Sequence, residues 1–324
     1  MEYSVATQHQ GRMSINDNIA RAILFAALGK MSHGKLTITD KTGQFQFGRG
    51  EFCADIHVIN PQFYRQVLWG GSIGAGEAYM DGHWQSSSVT NVIKLFALNL
   101  TLLDKIERRF AWASTMINRF KHVRQHNSTA GSKRNILAHY DLGNEMYQLF
   151  LDPLMLYSSA IYADEQSSLA QAQENKMQLI CERLDLQAGQ SLLEIGTGWG
   201  ALAIYAAKHF DVDVTTTTIS DAQYNYAKQH IIAAGLEHKI TLLKQDYREL
   251  TGEFDRIVSI EMIEAVGHEY MAEYFTVLNR HLKHDGRMLI QAITINDERY
   301  QSYRNNVDFI QRYIFPGGCL LQSQ

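Results

Sequence analysis

The stretch SLLEIGTGWGALAIYAAKHF, Ser191–Phe210, decides the fold. Leu192 to Ile195 form an apolar run of strand composition. Three glycines follow at alternate positions, Gly196, Gly198 and Gly200, and Ala201 onward carries helical spacing. Strand, glycine turn and helix in that order leave bare backbone at a helix N-terminus, where a ligand can come close. Outward from this unit, strand-like runs at 190–196, 212–219, 239–246, 254–261 and 286–295 alternate with helical stretches at 199–209, 221–234 and 268–282. The alternation predicts an α/β fold: a mostly parallel, Rossmann-like sheet covered by helices on both faces.

The chain has 324 residues, 45% apolar and 20% charged, a globular composition large enough for two domains. A net charge of −4 gives no argument for a nucleic-acid partner. The cysteines Cys53, Cys181 and Cys319 stand far apart, so neither a disulfide framework nor a structural zinc site is expected. The N-terminus lacks the apolar core of a signal peptide, and no apolar run approaches the roughly 20 residues of a membrane span. These features predict a cytoplasmic chain that touches a membrane, if at all, from its inner face as a peripheral protein.

Composition divides the chain. Residues 1–116 read as an N-terminal α+β accessory domain, with helical spacing in NIARAILFAALGKM (18–31) and a hairpin pattern in KLTITDKTGQFQFG (35–48). Within it, GGSIGAGEAYMDGHW (70–84) reads as a glycine-rich loop leading to the aromatics Tyr79 and Trp84, and 89–110 as helix. The polar, basic segment 117–135 reads as a linker, whose charge suits either solvent or anionic headgroups. Residues 136–324 carry the α/β pattern.

Gly196-x-Gly198-x-x-Ala201 matches the loose dinucleotide fingerprint, which keeps NAD open. A dinucleotide site also wants an acid at the tip of the second strand, and this chain has Thr218 and Ser220 there, with Asp221 one step into the helix. Two carboxylates point elsewhere. Glu194 precedes the first glycine and Asp246 ends the third strand. An acid at each place suits a ligand with an amino acid at one end and adenosine at the other. S-adenosylmethionine is such a ligand, and its sulfonium favours carboxylates and aromatic faces such as Trp199, Tyr157 and Tyr247.

The segments HYDLGNEMYQLFLDPLMLYSSAIY (139–162), LLEIGTGWGALAIYAAK (192–208), TISDAQ (218–223), DYREL (246–250), SIEMIEAVGHEYMAEYF (259–275) and DFIQRYIFPGGCL (308–320) together resemble the cyclopropane-fatty-acyl-phospholipid synthase family, including the mycolic acid cyclopropane synthases. The resemblance implies a class I methyltransferase fold with an N-terminal lipid-positioning domain, S-adenosylmethionine as cofactor, and a membrane phospholipid with a cis double bond in its acyl chain as substrate. The alkene attacks the sulfonium methyl, and a bound bicarbonate takes a proton from the resulting carbocation as the ring closes. It further implies cofactor contacts from Tyr157, Ser158, Glu194, Gly196, Gly198, Trp199, Gly200, Thr218, Ser220, Gln223, Asp246, Tyr247 and Arg248. Glu264 matches the glutamate that holds the bicarbonate, with Ser159, Gln291 and the backbone of Ile293 beside it. His139, with Tyr140, Asp141 and Asn144, falls near the mouth of the site.

The sequence departs from the family pattern in three places. Ser159 stands where many members have cysteine, and Gln291 where many have histidine; both can still donate a hydrogen bond. The chain also reads as C-terminally short, without the last sheet strands and a tyrosine that the family supplies, which would leave 286–295 as an open apolar edge. A truncated or frame-shifted gene product, a partial chain, or a short member that covers the edge by dimerisation would each account for it. Two other readings stay open: a lipid methyltransferase that does not close the ring, and a non-catalytic homologue that binds cofactor or lipid.

Overall fold

A computed structural model describes residues 13–103 and 143–322. The expected linker and His139, Tyr140 and Asp141 lie outside the described residues. The chain divides into two compact units, Met1–Lys121 and His122–Gln324.

The N-terminal unit is built on a four-stranded sheet in the order β2-β1-β3-β4, with β1 Gly34–Asp40, β2 Gly43–Arg49, β3 Cys53–Val58 and β4 Trp84–Gln85. The hairpin expected at 35–48 is the antiparallel pair β1–β2. Alternate residues of β1 are buried, with Leu36 and Ile38 facing the core, so the sheet has one wet and one dry face. The helix Ile15–Leu28 covers the dry face; it starts at a capping box in which Ser14 and Asp17 satisfy each other's backbone donors.

The expected glycine-rich loop at 70–84 is instead largely helix. Residues Gln62–Met80 form one helical stretch kinked at Gly71, whose φ of 56° and ψ of −136° only glycine adopts at low cost. Gly74 is there for space, since a Cβ on it would lie 1.9 Å from the Gln66 carbonyl oxygen. The glycines mark a bend and a close approach inside a helix. Trp84 is a core residue, buried and donating its indole N–H to the Ala75 carbonyl at 2.9 Å.

The second unit holds a five-stranded, all-parallel sheet in the order β7-β6-β5-β8-β9. Its strands are β5 Ser191–Ile195, β6 Asp213–Thr218, β7 Ile240–Lys244, β8 Phe254–Ile260 and β9 Leu282–Gln291. β5 is central and apolar on both sides: Leu192 joins the core beneath the helix Ala201–Phe210, while Leu193 and Ile195 join the core beneath the helix Met271–His281. The order reverses at β5, and ligands of open α/β sheets bind beyond the strand ends at that switch point.

The last strand differs from expectation at both ends. β9 starts at Leu282, directly out of the preceding helix, and stops at Gln291. The chain leaves the sheet there because the Ile293 amide turns to the Glu264 carboxylate, 2.5 Å away. Thr294–Ile295 then pairs in parallel with Leu321–Gln322 in a separate two-stranded piece. Among the described residues β9 forms the sheet edge, with Met288 exposed. No described helix is long and apolar enough to cross a membrane.

Candidate active site

A cavity of about 610 Å³ opens over the C-terminal ends of β5, β6 and β8. Its walls come from the segment 155–158, the glycine turn, the ends of β6 and β7, the turn after β8, and the segment 303–320.

The glycine turn forms the floor. Gly196, Gly198 and Gly200 have φ of 98°, 54° and 95°, all in the region that glycine enters freely. A Cβ at Gly196 would press on the Met262 side chain at 3.3 Å, and one at Gly200 on the Ala227 Cβ at 3.0 Å. A Cβ at Gly198 would meet nothing within 4 Å, on a residue that lines the cavity. Two glycines therefore serve packing, and Gly198 leaves room for a ligand.

Glu194 lines the cavity at 3% exposure. The Thr216 hydroxyl donates to its Oε2 at 2.6 Å, too little to offset burial, which pushes the carboxyl up to about 8. In the ligand-free chain Glu194 thus carries a proton at neutral pH, and a cationic ligand would have to displace it.

Asp246 and Arg248 are joined. The guanidinium donates from Nε and Nη2 to the two carboxylate oxygens at 2.8 and 2.7 Å, and the Arg248 amide adds a third bond. Asp246 also caps the short turn Tyr247–Glu249. Its carboxylate is therefore held by Arg248 at the cavity wall. At the tip of β6 the Thr218 hydroxyl donates to the Gln223 amide oxygen at 2.8 Å, both on the cavity wall.

Ser220 has another task. It is 1% exposed, off the cavity wall, and its Oγ caps the helix Asp221–Ala233 by accepting the Gln223 amide. Gly200 is likewise off the wall.

The aromatic residues sit together at one end. Trp199 is buried against Tyr147 with ring centroids 5.0 Å apart, and its indole N–H reaches the Asn144 side chain at 2.8 Å. Tyr157 leans on Tyr147 at 5.3 Å and stacks near Phe315 at 6.1 Å. Beside them lies Lys176, 1% exposed, donating to the Ser158 hydroxyl at 2.6 Å. Burial lowers its ammonium to about 8, opposed by the negative charge of Glu261 and Asp152.

The acidic side of the cavity is the turn after β8. Glu264 accepts the Ile293 amide at Oε1, and its Oε2 is buried with no hydrogen-bond partner among the described residues. Burial raises its carboxyl, and Glu261 adds to the rise. Ser159 and Gln291, expected around Glu264, turn instead to Glu261. Its Oε1 accepts the Ser159 amide at 3.0 Å, the Ser159 hydroxyl at 2.9 Å and the Gln291 side-chain amide at 2.7 Å.

Neither Glu261 nor Lys176 was singled out by the sequence reading. Locally Glu261 is one of two glutamates in SIEMIEAVG, and its partners are 102 and 30 residues away. Lys176 sits in the helix Leu169–Arg183, also missed, although the Ser168/Gln171 capping box announces it.

A parallel sheet reversing at β5, a glycine turn at that point and a cavity above it make a nucleotide-binding α/β frame, and the solved relatives place it among the class I S-adenosylmethionine-dependent methyltransferases. Residues 127–324 match the family model for mycolic acid cyclopropane synthetase. Over 274 residues the chain is 40% identical to the cyclopropane-fatty-acyl-phospholipid synthase of Escherichia coli, covering 84% of this chain and 68% of that protein. It is 37% identical to the tuberculostearic acid methyltransferase of Mycobacterium tuberculosis, covering 80% of this chain and 62% of the relative. Among solved structures, mycolic acid cyclopropane synthase CmaA1 complexed with SAH and CTAB superposes with a TM-score of 0.54 at 33% identity, over 59% of this chain and 70% of that one. The chain belongs to the mycolic acid cyclopropane synthetase family, and it is a methyltransferase of the cyclopropane-fatty-acyl-phospholipid synthase type.

Proposed function

We propose that the chain transfers a methyl carbon from S-adenosylmethionine to a cis double bond in an unsaturated phospholipid acyl chain, with ring closure to a cyclopropane. The observation that carries this reading is one cavity that joins a methyl-donor floor to an acidic wall. When bound, the cofactor supplies an electrophilic methyl on a cationic sulfur.

The residues present fit that group. Gly198 clears space beside the backbone, Thr218 and Gln223 offer polar atoms at the second strand, and Tyr247 and Arg248 offer a face near the third. Glu194 would give up its proton to meet positive charge. An alkene is a weak nucleophile, so the protein's main task is to align it and exclude water, which would quench a carbocation. The apolar and aromatic walls around Tyr157, Trp199 and Phe315 serve both ends, and an aromatic face steadies a cation.

The bicarbonate implied by the resemblance does not fit its expected donors. Ser159 and Gln291 already serve Glu261, and Ile293 serves Glu264. Two nearby carboxyl groups also make the place unfavourable for a further anion. The N-terminal unit is read as the part that positions the lipid, in peripheral contact with the membrane, and pairing of two copies would cover the edge strand β9.

The test is direct. Purified chain, S-adenosylmethionine and dioleoyl phospholipid vesicles should yield acyl chains heavier by one CH₂ by mass spectrometry, without the olefinic proton resonances. Heavier chains that keep those resonances would favour methylation without ring closure. Cofactor binding with no mass gain would favour a non-catalytic homologue.

A further inference from the structure

Glu261 follows the last residue of β8 and has a φ of 49°, a left-handed backbone uncommon for a long side chain. Four non-glycine residues share a positive φ among the described residues: Met155, Asp185, Asp211 and Glu261. Aspartate tolerates that region; methionine and glutamate do not gain from it, and both of these line the cavity. Strain of this kind persists where the surroundings fix it, most often at functional sites.

The surroundings here are hydrogen bonds. The Glu261 amide donates to the Gln291 carbonyl at 2.8 Å, which extends the β8–β9 ladder by one residue. The side chain then gathers the Ser159 amide, the Ser159 hydroxyl and the Gln291 amide group on a single oxygen. Three donors converging on one point make an anion site, and this chain fills it with its own carboxylate. The other anion-holding candidate, Glu264, is turned to Ile293.

Resting on the function proposed above, we infer that the Glu261 carboxylate is the proton acceptor of the reaction and occupies the place of a borrowed bicarbonate. The alkene π pair forms the new bond to the methyl carbon, whose old bond leaves its electrons on sulfur. A C–H bond of that methyl then breaks. Its proton goes to a Glu261 oxygen, its electron pair closes the third C–C bond of the ring, and Glu261 later returns the proton to water. Ser159 and Gln291 position the carboxylate.

Two variants test this. Glu261→Gln keeps the size and loses the base; Glu261→Gly relieves the backbone and leaves the three donors without their resident anion. Sodium bicarbonate is titrated into each protein without lipid, followed by calorimetry and by ¹³C line width. The expected result is no binding to wild type and measurable binding to Glu261→Gly. In turnover on dioleoyl vesicles, wild type should run equally well in bicarbonate-free and bicarbonate-containing buffer. Glu261→Gln should fall by about 100-fold with unchanged S-adenosylmethionine affinity. Glu261→Gly should fall as far and recover with added bicarbonate or formate. Bicarbonate binding by wild type, a wild-type rate that needs the ion, or an undiminished Glu261→Gln rate would each overturn the assignment of Glu261 alone. A wild-type chain that binds cofactor and yields no heavier lipid overturns the functional reading and, with it, the proton-transfer role.

Discussion

β5 and β8 lie side by side in one sheet, yet their C-terminal ends solve opposite problems. After β5 the chain removes side chains: three glycines open the backbone, and the one acid, Glu194, is buried with a single hydroxyl for company. After β8 the chain crowds them in: Glu261 and Glu264 fall within a turn, and Glu261 holds three donors. Desolvation pushes the first glutamate's carboxyl up to about 8, while the second glutamate gathers three donors on one oxygen. The same residue type is thus nearly bare of donors on one strand and ringed by them on its neighbour.

The comparison breaks most visibly at the β5 end. Gly198→Val should abolish cofactor binding, weakening affinity by at least about 100-fold in calorimetry. The branched side chain enters the ligand's space, and the positive φ adds roughly 1–3 kcal/mol of strain. Folding should survive, since a Cβ there meets no neighbour; a variant that still binds tightly would move the cofactor elsewhere.

Glu194→Gln sharpens the contrast in charge. The wild-type carboxyl titrates near 8 in the folded chain and near 4.5 unfolded. Between those values the native state holds the extra proton, so this contribution is full below about pH 4.5 and is lost as pH rises through about 8. The loss should be on the order of a few kcal/mol in urea unfolding at pH 5 and pH 8, and Glu194→Gln should remove that slope. Wild type should also release a proton on binding S-adenosylmethionine at neutral pH, seen as buffer-dependent calorimetric heat, and the variant should not.

The smallest effect belongs to the neighbouring strand, β6. Ser220→Ala deletes a helix cap, so it should cost about 1 kcal/mol of stability and leave cofactor affinity unchanged. A large affinity loss at intact stability would return Ser220 to the ligand.

Much of this was legible in the chain. The central strands β5 and β8 announce themselves because they are buried on both faces and so read as largely apolar runs, and the glycine turn because no other residue type repeats that way. What failed was reading by composition alone. Glycines at 70–84 suggested a loop, but Gly71 and Gly74 permit a kink and a contact inside a helix. Asp246 lines the cavity as expected, but its pairing with Arg248 two residues on went unread. Glu261 was invisible for a stronger reason: its meaning rests on Ser159 and Gln291, which only the folding of 155–159 and β9 against β8 brings to it.

The left-handed backbone at Glu261 has a consequence for how such a site can change. Every glutamate codon is a single base substitution from a glycine codon, and the backbone there is one that glycine adopts with less strain. An exchange to glycine there would relax the backbone while removing the carboxylate that, on the proposal above, accepts the proton. On that proposal, a base carried by the chain and one drawn from dissolved carbon dioxide stand a single mutation apart.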